Sequence, residues 1–315
     1  MSAVVLERKI CNGLYFSEDM KAPAKLGMSY EQIIDFDVDD DDYPGLRGTM
    51  VREIYNHLRA SELKKRPSTD YMAKVQKNID IRMRAILIDW LADVVEVYVI
   101  DPEILYLAVN YIDRYLSGNL IDREKLQLVG ITCTMIAFKY HDIYSPPVEA
   151  FCALTDDTYC VDEIREMESI VLDYLKFELT IPTARCFLER FVRVAQAVTE
   201  DPPMDIESLS NYLADLSLGD YGMLCYSPSV IAASSVFLAR FILSPSRRPW
   251  NSTLQNFTLY KPLALLGCVK ALHSLCRNSL SSLPAIQAKY SHHKYNCVAK
   301  KYCPLSIPRV YFQDL

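Results

Sequence analysis

Apolar residues recur at helical spacing along most of the chain from residue 50 onward. In Met50–Glu62, the apolar residues Val51, Ile54, Tyr55 and Leu58 stand three or four positions apart. This spacing places them on one face of a helix. The pattern therefore predicts a short, isolated N-terminal helix.

The following sequence contains an internal repeat. A shift of 101 residues superimposes three successive helical patterns without a gap, and the register drifts by one or two residues after Pro146. The repeat predicts an all-α fold of two tandem modules, residues 80–182 and 183–290, each with about five helices. In each module the third helix (124–141 and 228–243) is the most uniformly apolar, as is typical of a central core helix. The matched residues are Leu87 with Leu188, Trp90 with Phe191, Asn110-Tyr111-Ile112 with Asn211-Tyr212-Leu213, and Val129 with Val230.

The two modules are flanked by segments of different composition. Residues 1–48 lack periodicity, contain the acidic run Asp39–Asp42 and are predicted to be a disordered acidic tail. Residues 49–79 hold the N-terminal helix and a linker that starts at the basic residues before Pro67. Residues 291–315 are predicted to be an irregular C-terminal tail.

The cysteines indicate a reducing compartment. None of the ten forms a Cys-x-x-Cys pair, and Cys133, Cys152, Cys186 and Cys268 fall within apolar helical patterns. Such cysteines behave as small buried hydrophobic residues. Zinc needs clustered ligands. The one candidate cluster lies at residues 292–303, and we expect no metal and no cofactor.

Composition and charge exclude several functional classes. The net charge is −6 and there is no basic stripe, so nucleic acid is not an expected partner. No apolar run approaches the roughly 20 residues that span a bilayer, and no signal peptide is recognisable, so no membrane role is expected. Glycine-rich phosphate loops, His-Glu-x-x-His and Gly-x-Ser-x-Gly are all missing from the sequence. We therefore expect no enzymatic activity.

One polar residue interrupts an apolar helical face in the first module. Ile136, Lys139, Tyr140 and Ile143 share this face. An unpaired buried ammonium group is costly, so Lys139 needs a partner, and Glu168 is the candidate. The pair is either an ordinary internal salt bridge or a donor and acceptor presented to another protein.

A second face begins the first module. Met83, Ile86, Leu87 and Trp90 lie at helical spacing, with Asp93 one turn beyond. Other apolar positions of the same helix supply a second apolar face. One face can fill the core while the other forms a shallow groove for a short peptide with a basic residue near an apolar one.

These same segments resemble the cyclin box, and the resemblance covers about residues 50–310. The C-terminal sequence, including Arg248–Asn251 and His293–Tyr295, is similar to plant A-type cyclins. The segments that resemble A-type cyclins in the first module are Met83–Leu87, Asn110–Leu116, Lys125–Gly130 and Leu154–Tyr159.

The resemblance implies a regulatory subunit that activates a cyclin-dependent kinase and controls progression from S phase to G2/M. It implies the nucleus as the main location and the cytoplasm as a second one. It implies Lys139 and Glu168 as polar contacts to the kinase. The other kinase-binding residues that it implies are Tyr140, Asp142, Ile143, Leu172, Phe177, Leu179 and, in the N-terminal helix, Ile54. The residues implied for a groove that recruits Arg-x-Leu substrates and inhibitors are Met83, Ile86, Leu87, Trp90, Asp93 and Gln127.

The chain departs from the A-type pattern at three positions. His141 precedes Asp142 where two glutamates are usual, which predicts a mild pH dependence. Val97 replaces a glutamate and weakens the acidic rim of the groove. His57 replaces an aromatic residue in the N-terminal helix. An Arg-x-x-Leu degradation signal does not occur in residues 1–48, and Arg123–Leu126 has the letters within a predicted helix.

Two alternatives remain open at this point. One is a cyclin fold that docks peptides without activating a kinase. The other is a transcription-factor-like protein whose paired modules grip promoter DNA, which the net charge disfavours.

Overall fold

The computed structural model describes residues 44–143, 145–198, 203–278 and 283–313, and the regular elements in these ranges are helices. The α-helices are α1 (Pro44–Ser61), α2 (Tyr71–Lys74), α3 (Ile81–Val97), α4 (Pro102–Leu116), α5 (Leu126–His141), α6 (Val148–Leu154), α7 (Val161–Leu175), α8 (Ala184–Ala197), α9 (Pro203–Gly219), α10 (Pro228–Leu243), α11 (Ser252–Thr258), α12 (Pro262–Asn278) and α13 (Pro284–Tyr290). Short 3-10 turns are Arg123–Lys125, Tyr221–Cys225, His293–Tyr295, Val298–Lys300 and Arg309–Phe312.

Helices α3–α7 and α8–α12 repeat one arrangement, and the predicted all-α fold of two five-helix modules is confirmed. Equivalent helices begin at residues 81 and 184, 102 and 203, 126 and 228, 148 and 252, and 161 and 262. The drift after Pro146 is larger than predicted at the fourth helix, but the fifth returns to the shift of 101. Loops around the fourth helix differ in length, whereas the helices that fill the core keep their spacing.

The third helix of each module is its centre, as predicted. Every residue of α5 from Leu128 to Phe138 is buried, and α10 is buried from Ala232 to Ile242. A helix that is apolar on all sides is stable only when other helices surround it. The remaining helices of each module pack around these two.

The N-terminal helix starts earlier than predicted and is not isolated. It begins at Pro44, so residues 44–48 are helical although the sequence assigns them to the disordered tail. Proline favours the first position of a helix, because its fixed φ suits the helix and its missing N–H is not needed there. Residues 1–43 of the predicted tail lie outside the described residues.

Helix α1 packs against the second module through Tyr55. The Tyr55 ring lies 6.1 Å from Phe187 and 6.2 Å from Phe191, and both contacts are edge-to-face. Its hydroxyl donates to the Thr258 carbonyl at 3.0 Å. The helix is thus held by a pocket whose residues lie between 132 and 203 positions later in the chain.

A buried ion pair joins the two modules. Arg84 on α3 is only 1% exposed and donates to both Asp113 carboxylate oxygens, from Nε at 2.6 Å and from an Nη at 2.7 Å. Its other Nη donates to the carbonyls of Leu218 and Gly219, at the end of α9, at 3.0 and 3.4 Å. Tyr71 donates its hydroxyl to Asp113 at 2.7 Å. One arginine thereby connects the first module to the second.

The chain returns to the first module at α13. The Asp89 carboxylate accepts hydrogen bonds from the backbone N–H groups of Ala285 and Ile286, at 3.0 and 3.2 Å. These N–H groups belong to the first turn of α13, where a helix has no internal partners for them. Burial raises the pKa of Asp89, and the two N–H donors oppose that rise.

The irregular C-terminal tail packs on the second module. Phe312 stacks on Phe237 of α10 with ring centroids 4.9 Å apart, and Tyr311 donates its hydroxyl to the Pro245 carbonyl at 2.8 Å. No helix among the described residues is long and apolar enough to cross a bilayer.

Three of the four cysteines expected in the core, Cys133, Cys152 and Cys268, are buried, and Cys186 is half-buried. Burial raises the pKa of each of these thiols, and that of Cys186 reaches about 12. At neutral pH they are therefore unreactive thiols that fill space in the core.

Candidate functional site

Lys139 and Glu168 form a direct ion pair at the surface of the first module. Lys139 is in the last turn of α5 and Glu168 is in the middle of α7. The Lys139 Nζ lies 2.7 Å from one Glu168 carboxylate oxygen and 2.9 Å from the other. The lysine side chain is 41% exposed and the glutamate 17%. A partner protein can therefore reach both charges without any change in the fold.

The face that includes Lys139 passes from the core to the surface along α5. Ile136 is buried, Tyr140 is partly exposed and Ile143 is 89% exposed. The Tyr140 hydroxyl donates to the Thr180 hydroxyl at 2.8 Å. The predicted common face is confirmed for Ile136, Lys139 and Tyr140 but is wrong for Ile143, because α5 ends at His141 and the backbone at Asp142 is extended.

The end of α7 presents a second exposed apolar side chain. Lys176 and Phe177 both adopt left-handed backbone conformations, with φ of 55° and 53°. Such a conformation costs roughly 1–2 kcal/mol per non-glycine residue. The Phe177 N–H donates to the Leu172 carbonyl at 3.1 Å, and the Phe177 side chain is 66% exposed. The chain thus leaves α7 through an unfavourable turn, and the Phe177 ring at that turn is exposed to solvent.

The remaining predicted kinase-binding residues occupy several environments. Leu172 and Leu179 are half-buried, and Asp142 is exposed just after α5. Ile54 is exposed on α1, the helix that packs on the second module. We call Lys139, Tyr140, Asp142, Ile143, Glu168, Leu172, Phe177 and Leu179 the α5–α7 surface.

A titratable cluster that the sequence did not reveal lies next to the α5–α7 surface. The His141 Nε2 lies 3.2 Å from an Asp101 carboxylate oxygen. Nearby, the Thr183 hydroxyl lies 2.7 and 2.9 Å from the two Glu103 carboxylate oxygens. Burial raises the pKa of Glu103 to about 7, although the bond to Thr183 acts in the opposite direction. Asp101 and Glu103 stand at the start of α4, where acidic residues are common. The sequence alone therefore does not distinguish them from ordinary helix-capping residues.

The predicted docking residues lie on one side of α3. Ile86 and Asp93 are exposed, whereas Met83 and Trp90 are half-buried. Gln127 is half-buried on the first turn of α5, one turn before Gly130. We call Met83, Ile86, Leu87, Trp90, Asp93 and Gln127 the α3 groove.

Leu87 lies beneath the surface of the α3 groove and is only 5% exposed. It packs against Gly130 of α5, where an added Cβ atom would lie 2.6 Å from the Leu87 Cδ1. The prediction that Leu87 lines the groove is therefore wrong in one respect, because its side chain supports the floor from below. Helical spacing alone does not distinguish the edge of an exposed face from its buried neighbour.

The C-terminal tail contacts one carboxylate at the edge of the α3 groove. Glu96 lies 3.1 Å from the Lys294 Nζ and accepts a hydrogen bond from the Tyr295 hydroxyl at 2.7 Å. The Lys289 Nζ is 3.8 Å from the same carboxylate. Val97, the residue that follows, is exposed. The Glu96 carboxylate is thus already paired with side chains of the tail. Asp93 is the exposed carboxylate of the α3 groove.

The residues considered for zinc do not come together. The Cys297 sulfur lies 3.7 Å from His293 Nδ1, but Cys303 lies against Cys276 of α12. Within the described part of the chain, no group of three or more His, Cys, Asp or Glu residues could hold a metal ion.

Comparison with known proteins places this geometry in a family. The model for the N-terminal domain of cyclins matches residues 53–180, and the model for the C-terminal domain matches residues 182–304. The chain is 54% identical to Cyclin-A1-1 of Arabidopsis thaliana over 327 residues, which cover all of this chain and 71% of that protein. The chain belongs to the cyclin family. Its similarity is to the plant A-type cyclins.

Other relatives agree with this assignment. The cyclin is 54% identical to Cyclin-A1-3 of Oryza sativa subsp. japonica, over 98% of this chain and 64% of that protein. A viral cyclin from herpesvirus saimiri shares the fold, with a TM-score of 0.60 and 21% identity over 75% of this chain and 99% of the viral one. Cyclins are regulatory subunits of cyclin-dependent kinases, so family membership implies a regulatory role in the cell cycle.

Proposed function

We propose that this cyclin binds a cyclin-dependent kinase through the α5–α7 surface and activates it. The observation that supports this is the accessible Lys139–Glu168 pair, flanked by the exposed side chains of Ile143 and Phe177. A partner backbone that approaches the pair finds both a donor and an acceptor. In the complex, the two apolar side chains would exclude water around the pair.

Stability of the fold does not explain this surface. A partly exposed ion pair contributes at most about 1 kcal/mol to folding. Exposed Ile143 and Phe177 gain nothing from burial in the free protein, and the left-handed backbone at Phe177 is unfavourable. Strained and exposed features of this kind persist where a partner makes use of them.

The size of the expected effect matches what activation requires. A kinase that is 1% active alone becomes 99% active if the partner binds the active form about 5.5 kcal/mol more tightly. Full burial of an isoleucine or a phenylalanine contributes about 1.5–3 kcal/mol each. Ile143 and Phe177 together therefore supply roughly 3–6 kcal/mol, provided that they contact only the active form of the kinase.

We further propose that the α3 groove recruits substrates and inhibitors with an Arg-x-Leu motif. Asp93 would pair with the arginine, and the leucine would lie on Ile86, Met83 and Trp90. Because Glu96 is shared with Lys294 and Tyr295, we expect one strong site for a basic residue in this groove rather than two.

The test of activation uses the purified cyclin and an inactive, loop-phosphorylated cyclin-dependent kinase. Phosphorylation of a Ser-Pro-x-Lys peptide should rise strongly with the wild-type cyclin and fall with Lys139→Ala or Glu168→Ala. The matched control is Lys74→Ala, which removes another surface ion pair, between Lys74 on α2 and Asp70 just before this helix. Wild-type binding and activation by both Lys139→Ala and Glu168→Ala would reject the assigned contacts.

The test of recruitment compares two substrates. Trp90→Ala or Asp93→Ala should reduce phosphorylation of a protein that carries Arg-x-Leu and leave the short peptide unaffected. The control is Leu263→Ala, which removes an exposed leucine from α12 in the second module. An equal loss for both substrates would assign these residues to kinase activation instead.

Two further outcomes distinguish the alternatives. Stable kinase binding without activation would identify a docking-only cyclin. Absence of binding together with a gel shift of promoter DNA at low salt would support the transcription-factor-like alternative.

On the basis of family membership we also propose that this cyclin acts in the nucleus between S phase and G2/M. A fluorescent fusion in synchronised cells would test this.

A further inference from the structure

Two thiols meet where the C-terminal tail crosses the last helix of the second module. Cys276 is on α12 and Cys303 is in the tail, and a hydrogen bond joins their side chains. Both cysteines are half-buried, which leaves them open to small solutes. We call residues 303–313 the C-terminal strap.

Neighbouring contacts hold the residues that follow Cys303 against α12. His273 Nε2 lies 2.7 Å from the Pro304 carbonyl, and Arg277 donates to the Leu305 carbonyl at 3.2 Å. Residues 276 and 277 follow residue 273 by three and four positions, so both lie on the same side of α12 as residue 273. The start of the C-terminal strap therefore runs along this face with Cys303 beside Cys276.

The chemistry of the two thiols differs. The hydrogen bond from Cys276 lowers the pKa of the Cys303 thiol, and the positive charge of Arg277 acts in the same direction. The same hydrogen bond raises the pKa of Cys276, as does burial. A thiol with a lowered pKa beside a second thiol with a raised pKa is the arrangement found in peroxide-sensitive cysteine pairs.

We infer that Cys303 and Cys276 form a peroxide-responsive pair, in which oxidation to a disulfide fastens the C-terminal strap to α12. The Cys303 thiolate attacks one peroxide oxygen, the O–O bond breaks and Cys303 becomes a sulfenic acid while hydroxide leaves. The Cys276 sulfur then attacks the Cys303 sulfur, its proton passes to the leaving hydroxide and water departs. Two thiols and one hydrogen peroxide thus yield one disulfide and two waters.

The disulfide would stabilise an element that already packs on the core. The C-terminal strap holds Phe312 against Phe237 and Tyr311 against Pro245. A cross-link that closes the loop between residues 276 and 303 restricts the unfolded chain and raises Tm by roughly 6–12 °C. Thiol reductants such as glutathione would reverse it, so the reduced form is the resting state in a reducing compartment.

The test uses the reduced, full-length wild-type protein and hydrogen peroxide in small molar excess. Free thiols are then blocked with maleimide, and proteolytic peptides are identified by mass spectrometry. We expect a peptide pair joined through Cys276 and Cys303, lighter by two hydrogen atoms, which glutathione separates. Cys303→Ser should abolish the pair, Cys276→Ser should leave Cys303 as a sulfenic acid that dimedone traps, and the exposed-cysteine control Cys160→Ser should retain the pair.

Wild-type results alone can overturn the inference, so it does not depend on the folding of any variant. Cys303 that remains free at peroxide doses sufficient to oxidise the exposed Cys160 would refute it, as would conversion of Cys303 to sulfinic acid without the cross-link. A Tm that is the same in the oxidised and reduced wild-type protein would refute the fastening of the C-terminal strap.

Discussion

Replacement of Arg84 by methionine should weaken both the first module and its union with the second. The change removes two hydrogen bonds to Asp113 and two to the carbonyls of Leu218 and Gly219. Asp113 is 1% exposed and still accepts the hydrogen bond from the Tyr71 hydroxyl. A carboxylate is then left buried without its compensating charge.

The magnitude follows from these contacts. Removal of one member of a buried ion pair costs about 3–5 kcal/mol. Whole proteins are stable by only about 5–15 kcal/mol, so the loss is a large fraction of the total. For a chain of this size, Tm should fall by roughly 6–20 °C.

The chain provides a separate reporter for each module. It contains two tryptophans, Trp90 on α3 of the first module and Trp250 in the second. Urea unfolding followed by fluorescence in Trp90→Phe and Trp250→Phe backgrounds therefore resolves the two modules. We expect coincident transitions with Arg84 present and separated transitions in Arg84→Met, because the tie to the end of α9 is lost.

Two variants make the result decisive. Arg82→Met, at an exposed position of the same helix, should change the unfolding free energy by less than about 0.5 kcal/mol. Arg84→Met/Asp113→Leu removes both charges and should recover much of the loss, since apolar residues can replace a buried pair. An Arg84→Met protein within about 1 kcal/mol of wild type would refute the reasoning.

Three further predictions concern single positions. The pKa of Glu103 is raised from 4.5 to about 7 in the folded protein. The folded state therefore holds a proton that the unfolded state has lost between pH 4.5 and 7, and wild-type stability should fall as the pH rises through this range. Glu103→Gln should lose this dependence in urea unfolding measured at several pH values. Gly130→Ala should cost about 1–3 kcal/mol in the same assay, since the new methyl group would collide with Leu87. Tyr55→Phe should cost about 1 kcal/mol by losing the bond to Thr258 while keeping the ring contacts.

Each of these has an outcome that contradicts it. Identical pH profiles for Glu103→Gln and the wild type would mean that this carboxyl is ionised normally in the folded protein. An unchanged or raised stability in Gly130→Ala would show that Leu87 has room to move aside. A Tyr55→Phe protein as unstable as Tyr55→Ala would assign the whole effect to the hydroxyl and none to ring packing.

The sequence predicts the helices well because each one must bury its own face. Periodicity therefore locates the N-terminal helix, the helix that begins near Met83 and the central helix of each module without knowledge of their partners. The repeat adds the prediction of two modules with about five helices each. The Lys139–Glu168 contact is also foreseeable, because a lysine in an apolar stripe needs a carboxylate at similar depth. The roles assigned to this pair and to the α3 groove stay predictions.

What the sequence does not predict depends on contacts between distant segments. Arg84 looks like an exposed charge within an apolar run, yet its partners lie 29 and 134 residues away. Leu87 is buried only because Gly130, on another helix, has no side chain. The pairing of Glu96 with Lys294 brings together residues 198 positions apart. Local pattern carries no information about such separations.

The attachment of α1 to the second module has a consequence for synthesis on the ribosome. Tyr55 and its acceptor Thr258 are separated by 203 residues, so the pocket for this helix does not exist when the helix emerges. At about 5–20 residues per second, roughly 10–40 s pass before the pocket is translated. Throughout that interval the nascent chain displays an unburied tyrosine on a free helix. Chaperones can hold the N-terminal segment during this interval. A chain released from the ribosome after only the first module would keep Tyr55 exposed.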